Sequence, residues 1–169
     1  MRKTSAWTAL LVAGLTLVPA LAAASQVAQS GPVLKRGTDP IDLETRARAM
    51  FTNPKRYAEA ARLYQRAADQ RAPGDRVRVE DLTMAARLTF YDGDAAKARI
   101  LMERAADEAL AAGDVINAAH AYVDAAFLAQ DARESERVAD LLGRARMLAG
   151  SPLLAQQERD SILARVARS

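Results

Sequence analysis

Cysteine is absent from this chain of 169 residues, and histidine and tryptophan each occur once. The lack of thiols excludes disulfide bonds, thiolate zinc sites and a cysteine nucleophile, and it leaves no acceptor for an N-terminal thioether lipid. The chain also contains no phosphate-binding loop, dinucleotide fingerprint, nucleophile elbow or calcium loop. We therefore assign no catalytic residue, no cofactor and no metal site, and we expect a protein that is not an enzyme.

The chain also lacks a large excess of either basic or acidic residues. The formal net charge is +3 at pH 7, and acidic and basic residues alternate along the chain. Without Arg2 and Lys3 the charge falls to about +1, and a surface so balanced gives no electrostatic argument for binding nucleic acid.

A long apolar run occurs only near the N-terminus. Residues 1–24 combine a basic start, an apolar core of about ten residues, Pro19 and a run of small residues, which is the pattern of a secretory signal peptide. An uncleaved membrane anchor is disfavoured because a span needs about 20 apolar residues. We expect cleavage near Ala22 or Ala24, a periplasmic or secreted protein, and no insertion into the membrane afterwards. Two prolines and two glycines in residues 25–40 predict a flexible linker there.

Residues 41–169 carry apolar residues at helical spacing and show no alternation typical of strands. The prolines and glycines lie mostly between the apolar stripes, which predicts seven helices. Gly143 falls inside the sixth helix, where we expect it to permit close approach of another helix. The predicted helices are residues 41–52, 56–70, 76–91, 95–111, 115–129, 133–148 and 152–166.

One pattern of small and large residues occurs three times at intervals of about forty residues. A small or medium residue is followed four positions later by a large one, and three positions after that by alanine. Such a period is typical of stacked helix pairs. The three copies are Ala60, Tyr64 and Ala67; Ala98, Met102 and Ala105; and Val138, Leu142 and Ala145.

This pattern resembles the second helix of the tetratricopeptide repeat (TPR) family. The preceding helices agree, since Leu82 and Ala86, and then Tyr122 and Ala126, lie where the family keeps a large and then a small residue. The chain departs from the family in its longer period and at Arg133, where a turn glycine is expected. The resemblance implies an all-α fold of antiparallel helix pairs stacked as a short TPR-like α-solenoid, with three pairs and a C-terminal capping helix.

In the TPR family the first helix of each pair lines a groove that binds peptides. The resemblance therefore implies a partner-binding groove on the first helices. Phe90 and Phe127 fit either this groove or the core, and Tyr91 fits the groove, its rim or the core. The strongest candidates are Arg87, Phe90, Tyr91, His120, Val123 and Phe127, and the same transfer adds Asp42, Thr45, Ala49, Asn53, Glu80 and Thr83.

His120 is the only histidine, and Asp124 lies four residues later on the same helical face. General base catalysis would also need a nucleophile, an oxyanion site or a metal, and the sequence supplies no pattern for them. A local side-chain interaction and a groove contact are the other two interpretations.

The favoured hypothesis is an exported, soluble adaptor that binds a protein or peptide partner through the face formed by the first helices. The alternative is a structural envelope protein that self-associates into a homo-oligomer through its open end near residues 41–53. An envelope hydrolase that uses His120 and Asp124 is the remote alternative. The sequence does not identify the partner or the pathway.

Overall fold

The computed structural model describes residues 39–169, and the regular structure in this range is entirely helical. The all-α class predicted from the sequence is therefore confirmed. The predicted signal peptide and residues 25–38 of the predicted linker lie outside the described range. The helices are α1 (Pro40–Arg48), α2 (Tyr57–Gln70), α3 (Arg76–Tyr91), α4 (Ala95–Ala111), α5 (Val115–Asp131), α6 (Ser135–Ala149) and α7 (Gln156–Val166), and a short 3₁₀ turn (Pro54–Arg56) precedes α2.

Neighbouring helices pack side by side. Each helix contacts mainly the helices that precede and follow it in the chain, and α5 also contacts α7. Within residues 39–169, no helix combines the length and apolar character needed to cross a membrane.

The core between these helices consists largely of alanine. Eight of the nine residues in the three-copy pattern are buried, and Val138 is partly buried against the same cluster. Alanine favours the helical backbone and lets helix axes approach closely, while the larger residue of each copy fills the space beside it. The pattern that identified the helices is thus the pattern that holds them together.

The turns between α3 and α6 share one backbone geometry. Gly93 and Gly113 have positive φ angles of 96° and 79°, and Arg133 has a φ of 61° at the corresponding point. In each turn the next amide donates a hydrogen bond to a carbonyl five residues earlier, which satisfies the end of the preceding helix. Arg133 therefore occupies a left-handed conformation that glycine adopts at lower cost.

Two predicted helix ends are wrong. α1 ends at Arg48 rather than near Thr52, because the following amides bond to carbonyls three residues back and tighten the chain. α7 begins at Gln156 rather than at Pro152. The hydroxyl of Ser151 accepts a hydrogen bond from the Leu153 amide in a local turn, and the side chain of Leu154 is buried in the core.

The expected close approach at Gly143 is also wrong. A Cβ atom built on this residue meets no atom within 4 Å. Gly143 lies on the exposed face of α6, where it costs helix stability without serving a contact.

Candidate functional site

A groove of about 730 Å³ runs along one face of the helices. Helices α3 and α5 form its walls, Met102 and Ala109 of α4 lie at its base, and Arg165 of α7 lies at its edge. We call this feature the α3–α5–α7 groove. Its lining residues are Gly74, Arg76, Val79, Glu80, Thr83, Met84, Arg87, Met102, Ala109, Ala112, Asp114, Asn117, His120, Ala121, Asp124 and Arg165.

Helical spacing places these side chains together. On α3, Arg76, Glu80, Thr83 and Arg87 recur every three or four residues, which aligns them on one face. Asp75 begins this helix by accepting a hydrogen bond from the Val77 amide at 2.8 Å. The cap fixes where α3 starts and therefore which of its residues face the groove.

A second cap sets the α5 wall. Asp114 accepts one hydrogen bond from the Asn117 amide at 3.1 Å and another from the Asn117 side chain at 2.6 Å. Beyond this cap, His120 and Asp124 follow on the same face. Both carboxylate oxygens of Asp114 are therefore engaged in starting the helix.

The acidic groups of the groove have partners within the protein. Arg76 pairs with Glu80 at 3.2 Å, and Arg165 pairs with Asp124. The side chain of Arg87 forms no ion pair and no hydrogen bond with the rest of residues 39–169. This exposed guanidinium is consequently available to a ligand.

Four of the predicted groove residues do line the groove: Glu80, Thr83, Arg87 and His120. The groove lining includes no residue of α1. The candidates on and just after α1 are exposed but do not line the groove; they are Asp42, Thr45, Ala49 and Asn53. Asn53 accepts a hydrogen bond from the Lys55 amide.

Val123 is a correction to the predicted set, because its side chain is fully buried. The comparison of copies placed it at the position of Thr83 on α3. Helix α5, however, has α7 as an additional neighbour. Val123 belongs to the same buried cluster as Ile162 and Val166 of α7 and cannot contact a partner at the surface.

The three aromatic candidates lie outside the groove lining. Phe90 and Phe127 are each 37% exposed and Tyr91 is 65% exposed, so all three remain accessible. The ring of Tyr91 lies between those of Tyr57 and Phe90, with centroid separations of 6.1 and 6.0 Å. These contacts position the ring of Tyr91, which is the last residue of α3.

Arg165 could not be recognised from the sequence. Its side chain contacts both His120 and Asp124, the two residues that the sequence places on one helical face. Arg165 Nη1 lies 2.9 Å from Nδ1 of His120, and Arg165 Nη2 donates a hydrogen bond to Asp124 Oδ1. A contact between residues so far apart in the chain leaves no local pattern in the sequence.

The arrangement defines the protonation state of His120. A guanidinium has only donors, so Nδ1 must accept, and the neutral ring then carries its proton on Nε2. Burial and the neighbouring Arg165 lower the pKa of His120 below 6.5, although Asp124 acts in the opposite direction. The ring in this state has no free nitrogen lone pair to remove a proton from a substrate.

No group of histidine, aspartate or glutamate side chains within residues 39–169 is arranged to hold a metal ion. No protein-family model, curated protein sequence or solved structure matches the chain.

Proposed function

We propose that this protein is an exported adaptor of TPR-like architecture that binds a segment of a protein partner in the α3–α5–α7 groove. The observation that carries the proposal is the groove, which is lined mainly by α3 and α5 and is large enough for several side chains of a ligand. The same proposal includes export to the periplasm or the cell exterior, and it includes a binding role without catalytic activity.

The composition of the groove supports peptide binding. Met84 provides partly exposed, adaptable apolar surface, and Arg87 and the Nε2–H group of His120 can donate hydrogen bonds to a ligand. Polar groups at defined positions on an apolar surface fix the register of a bound chain. Phe90, Tyr91 and Phe127 offer exposed aromatic area that can extend the interface beyond the groove.

The alternative of self-association through α1 has less apolar surface to support it. Met50 is buried, and Phe51 packs against Tyr64 with ring centroids 6.1 Å apart. Between Pro40 and Asn53, the exposed large apolar side chain is that of Ile41.

The proposal predicts that Arg87→Glu lowers recovery of the partner from a periplasmic extract by about tenfold or more. Charge reversal removes the unpaired guanidinium of Arg87, and the new carboxylate repels a ligand group that the guanidinium attracts. The matched control is Arg146→Glu, which reverses an exposed charge on α6 outside the groove and should leave recovery unchanged.

Circular dichroism should show equal helicity for both variants. If the Arg87→Glu and Arg146→Glu proteins recover the same partner in equal amount, the groove assignment is wrong. A concentration-dependent dimer that Ile41→Asp disrupts, measured by light scattering, would favour self-association instead.

A further inference from the structure

The polar contacts between helices α7 and α5 are all made by one arginine. Among the hydrogen bonds and ion pairs of residues 39–169, those that join α7 to another helix are made by Arg165, with His120 and Asp124. The other polar contacts of α7 are local, such as the bond from Arg159 to the Ser151 carbonyl. Apolar burial of Ile162 and Val166 holds the helix in place beside this polar contact.

Protonation of His120 is incompatible with the contact. Nδ1 accepts a hydrogen bond from Arg165 at 2.9 Å, and an imidazolium has no acceptor. Protonation would also bring two positive charges to hydrogen-bonding distance, and the guanidinium cannot lose its charge to relieve the repulsion. Acidification must therefore break or displace the bond between these two residues.

The other charges around His120 do not remove this conflict. Asp124 on α5 already accepts from Arg165. Asp114, at the start of α5, also lines the groove, and both of its carboxylate oxygens accept hydrogen bonds from Asn117. Across the groove, α3 presents Arg76 and Glu80, which pair with each other, and the unpaired Arg87. The α4 residues at the base, Met102 and Ala109, carry no charge.

We propose that His120, Arg165 and Asp124 form a pH-sensitive clamp, in which protonation of His120 releases Arg165, loosens α7 and weakens binding of the partner in the groove. The effect on binding rests on the proposed function, because Arg165 lies at the edge of the α3–α5–α7 groove. The effect on α7 does not depend on a partner.

The direction follows from proton linkage. Burial and then Arg165 lower the pKa of His120 in the clamped state below its ordinary value of 6.5. Once α7 moves away, the pKa returns toward that value, so the open state binds protons more readily. Stability of the clamp is therefore complete above about pH 6.5 and is lost as pH falls through the lower pKa of the clamped state.

Hydrogen exchange of the α7 amides measures the clamp in the free protein. Relative to α3 amides and after correction for intrinsic rates, protection of residues 156–166 should fall roughly threefold or more between about pH 7.5 and about pH 5. His120→Asn supplies the control, because its amide oxygen can accept from Arg165 and does not titrate. Protection of α7 in this variant should not depend on pH.

Arg165→Met provides a second variant that keeps the aliphatic stem. Its α7 amides should be as weakly protected at about pH 7.5 as those of the wild type at about pH 5, with no further loss of protection in acid. Equal protection of wild-type α7 at both pH values, or the same pH dependence in His120→Asn, would overturn the clamp.

The partner measurement separates the two proposals. In the pull-down described above, wild-type recovery should fall several-fold at about pH 5, and His120→Asn recovery should not. Partner binding that does not change with pH would overturn the clamp's control of binding and leave the groove assignment intact. A clamp that loosens in acid while Arg87→Glu has no effect on recovery would reject the groove alone.

Discussion

Replacing Arg71 with methionine is expected to lower the free energy of unfolding by about 3 kcal/mol near pH 8. Arg71 directly follows α2 and joins two other helices, donating to Glu44 of α1 and, at 2.9 Å, to Asp81 of α3. The Asp81 side chain is only 3% exposed. Methionine keeps the apolar stem but leaves a buried carboxylate without its cation, which is costly in a medium that solvates charge poorly.

The penalty should depend on pH in a defined direction. Burial raises the pKa of Asp81 to about 6, and the hydrogen bond from Arg71 offsets only part of this effect. A carboxyl group with a raised pKa contributes stability that is fully present below about pH 4 and is lost as pH rises through about 6. Loss of Arg71 raises the pKa further, so chemical denaturation should show a larger penalty near pH 8 than near pH 5.

The double variant Arg71→Met with Asp81→Asn is the control, since asparagine has the shape of the acid without its charge. It should recover most of the lost stability, because the cost comes from an unpaired buried charge. A double variant as unstable as Arg71→Met near pH 8 would contradict this explanation, as would a single-variant penalty below about 1 kcal/mol.

Glu103→Gln should cost about 2 kcal/mol at neutral pH. Glu103 lies buried on α4, where it accepts hydrogen bonds from Arg99 of the same helix and from Arg137 of α6, whose Nε donates at 3.0 Å. Glutamine retains the size of the side chain but not the charge that both guanidinium groups bind. The expected loss therefore reflects a link between two helices that are not consecutive in the chain.

The pH dependence of Glu103 runs opposite to that of Asp81. Burial raises its pKa, but the hydrogen bonds from Arg137 and Arg99 outweigh burial and leave the pKa below 4.5. Its contribution is present above about pH 4.5 and is lost as pH falls through the lowered value. Denaturant titrations of the wild type and Glu103→Gln should consequently converge in acid.

An exposed ion pair provides the matched control for this second variant. Asp69 and Arg104 join α2 to α4 at 2.7 Å, with side chains 54% and 39% exposed. Asp69→Asn should cost less than about 1 kcal/mol, because water screens the pair. Equal costs for Asp69→Asn and Glu103→Gln would mean that burial of Glu103 is not the source of its effect.

Local signals account for the parts of the fold that sequence reasoning predicted well. The bounds of α3 and α4 agree with prediction residue for residue, because aspartate caps begin these helices and left-handed glycine turns follow their ends. The start of α7 was wrong because a local cap signal at Ser151 competed with burial of Leu154, and tertiary packing prevailed. Capping residues are visible in a sequence, whereas the side of the chain that becomes buried is decided by distant residues.

The groove, too, could be predicted where local sequence signals decide its structure and not where tertiary packing does. Its α3 wall could be predicted because the helical period alone aligns Glu80, Thr83 and Arg87. On α5 the same transfer failed at Val123, whose side chain is fully buried in the core that joins the helices. The contacts of Arg165 with His120 and Asp124 depend on where the last helix returns, and no periodic pattern encodes that position.

Cross-linking from single cysteines tests most directly whether the α3–α5–α7 groove is the partner-binding surface. Since the chain has no cysteine, one introduced thiol gives a unique attachment point for a photoreactive probe. Glu80 lies in the groove, and Lys97 is similarly exposed on α4 outside it. Cross-links to one partner are expected from Glu80→Cys and none from Lys97→Cys. Equal yields at both positions, or cross-links from Lys97→Cys alone, would contradict the groove assignment.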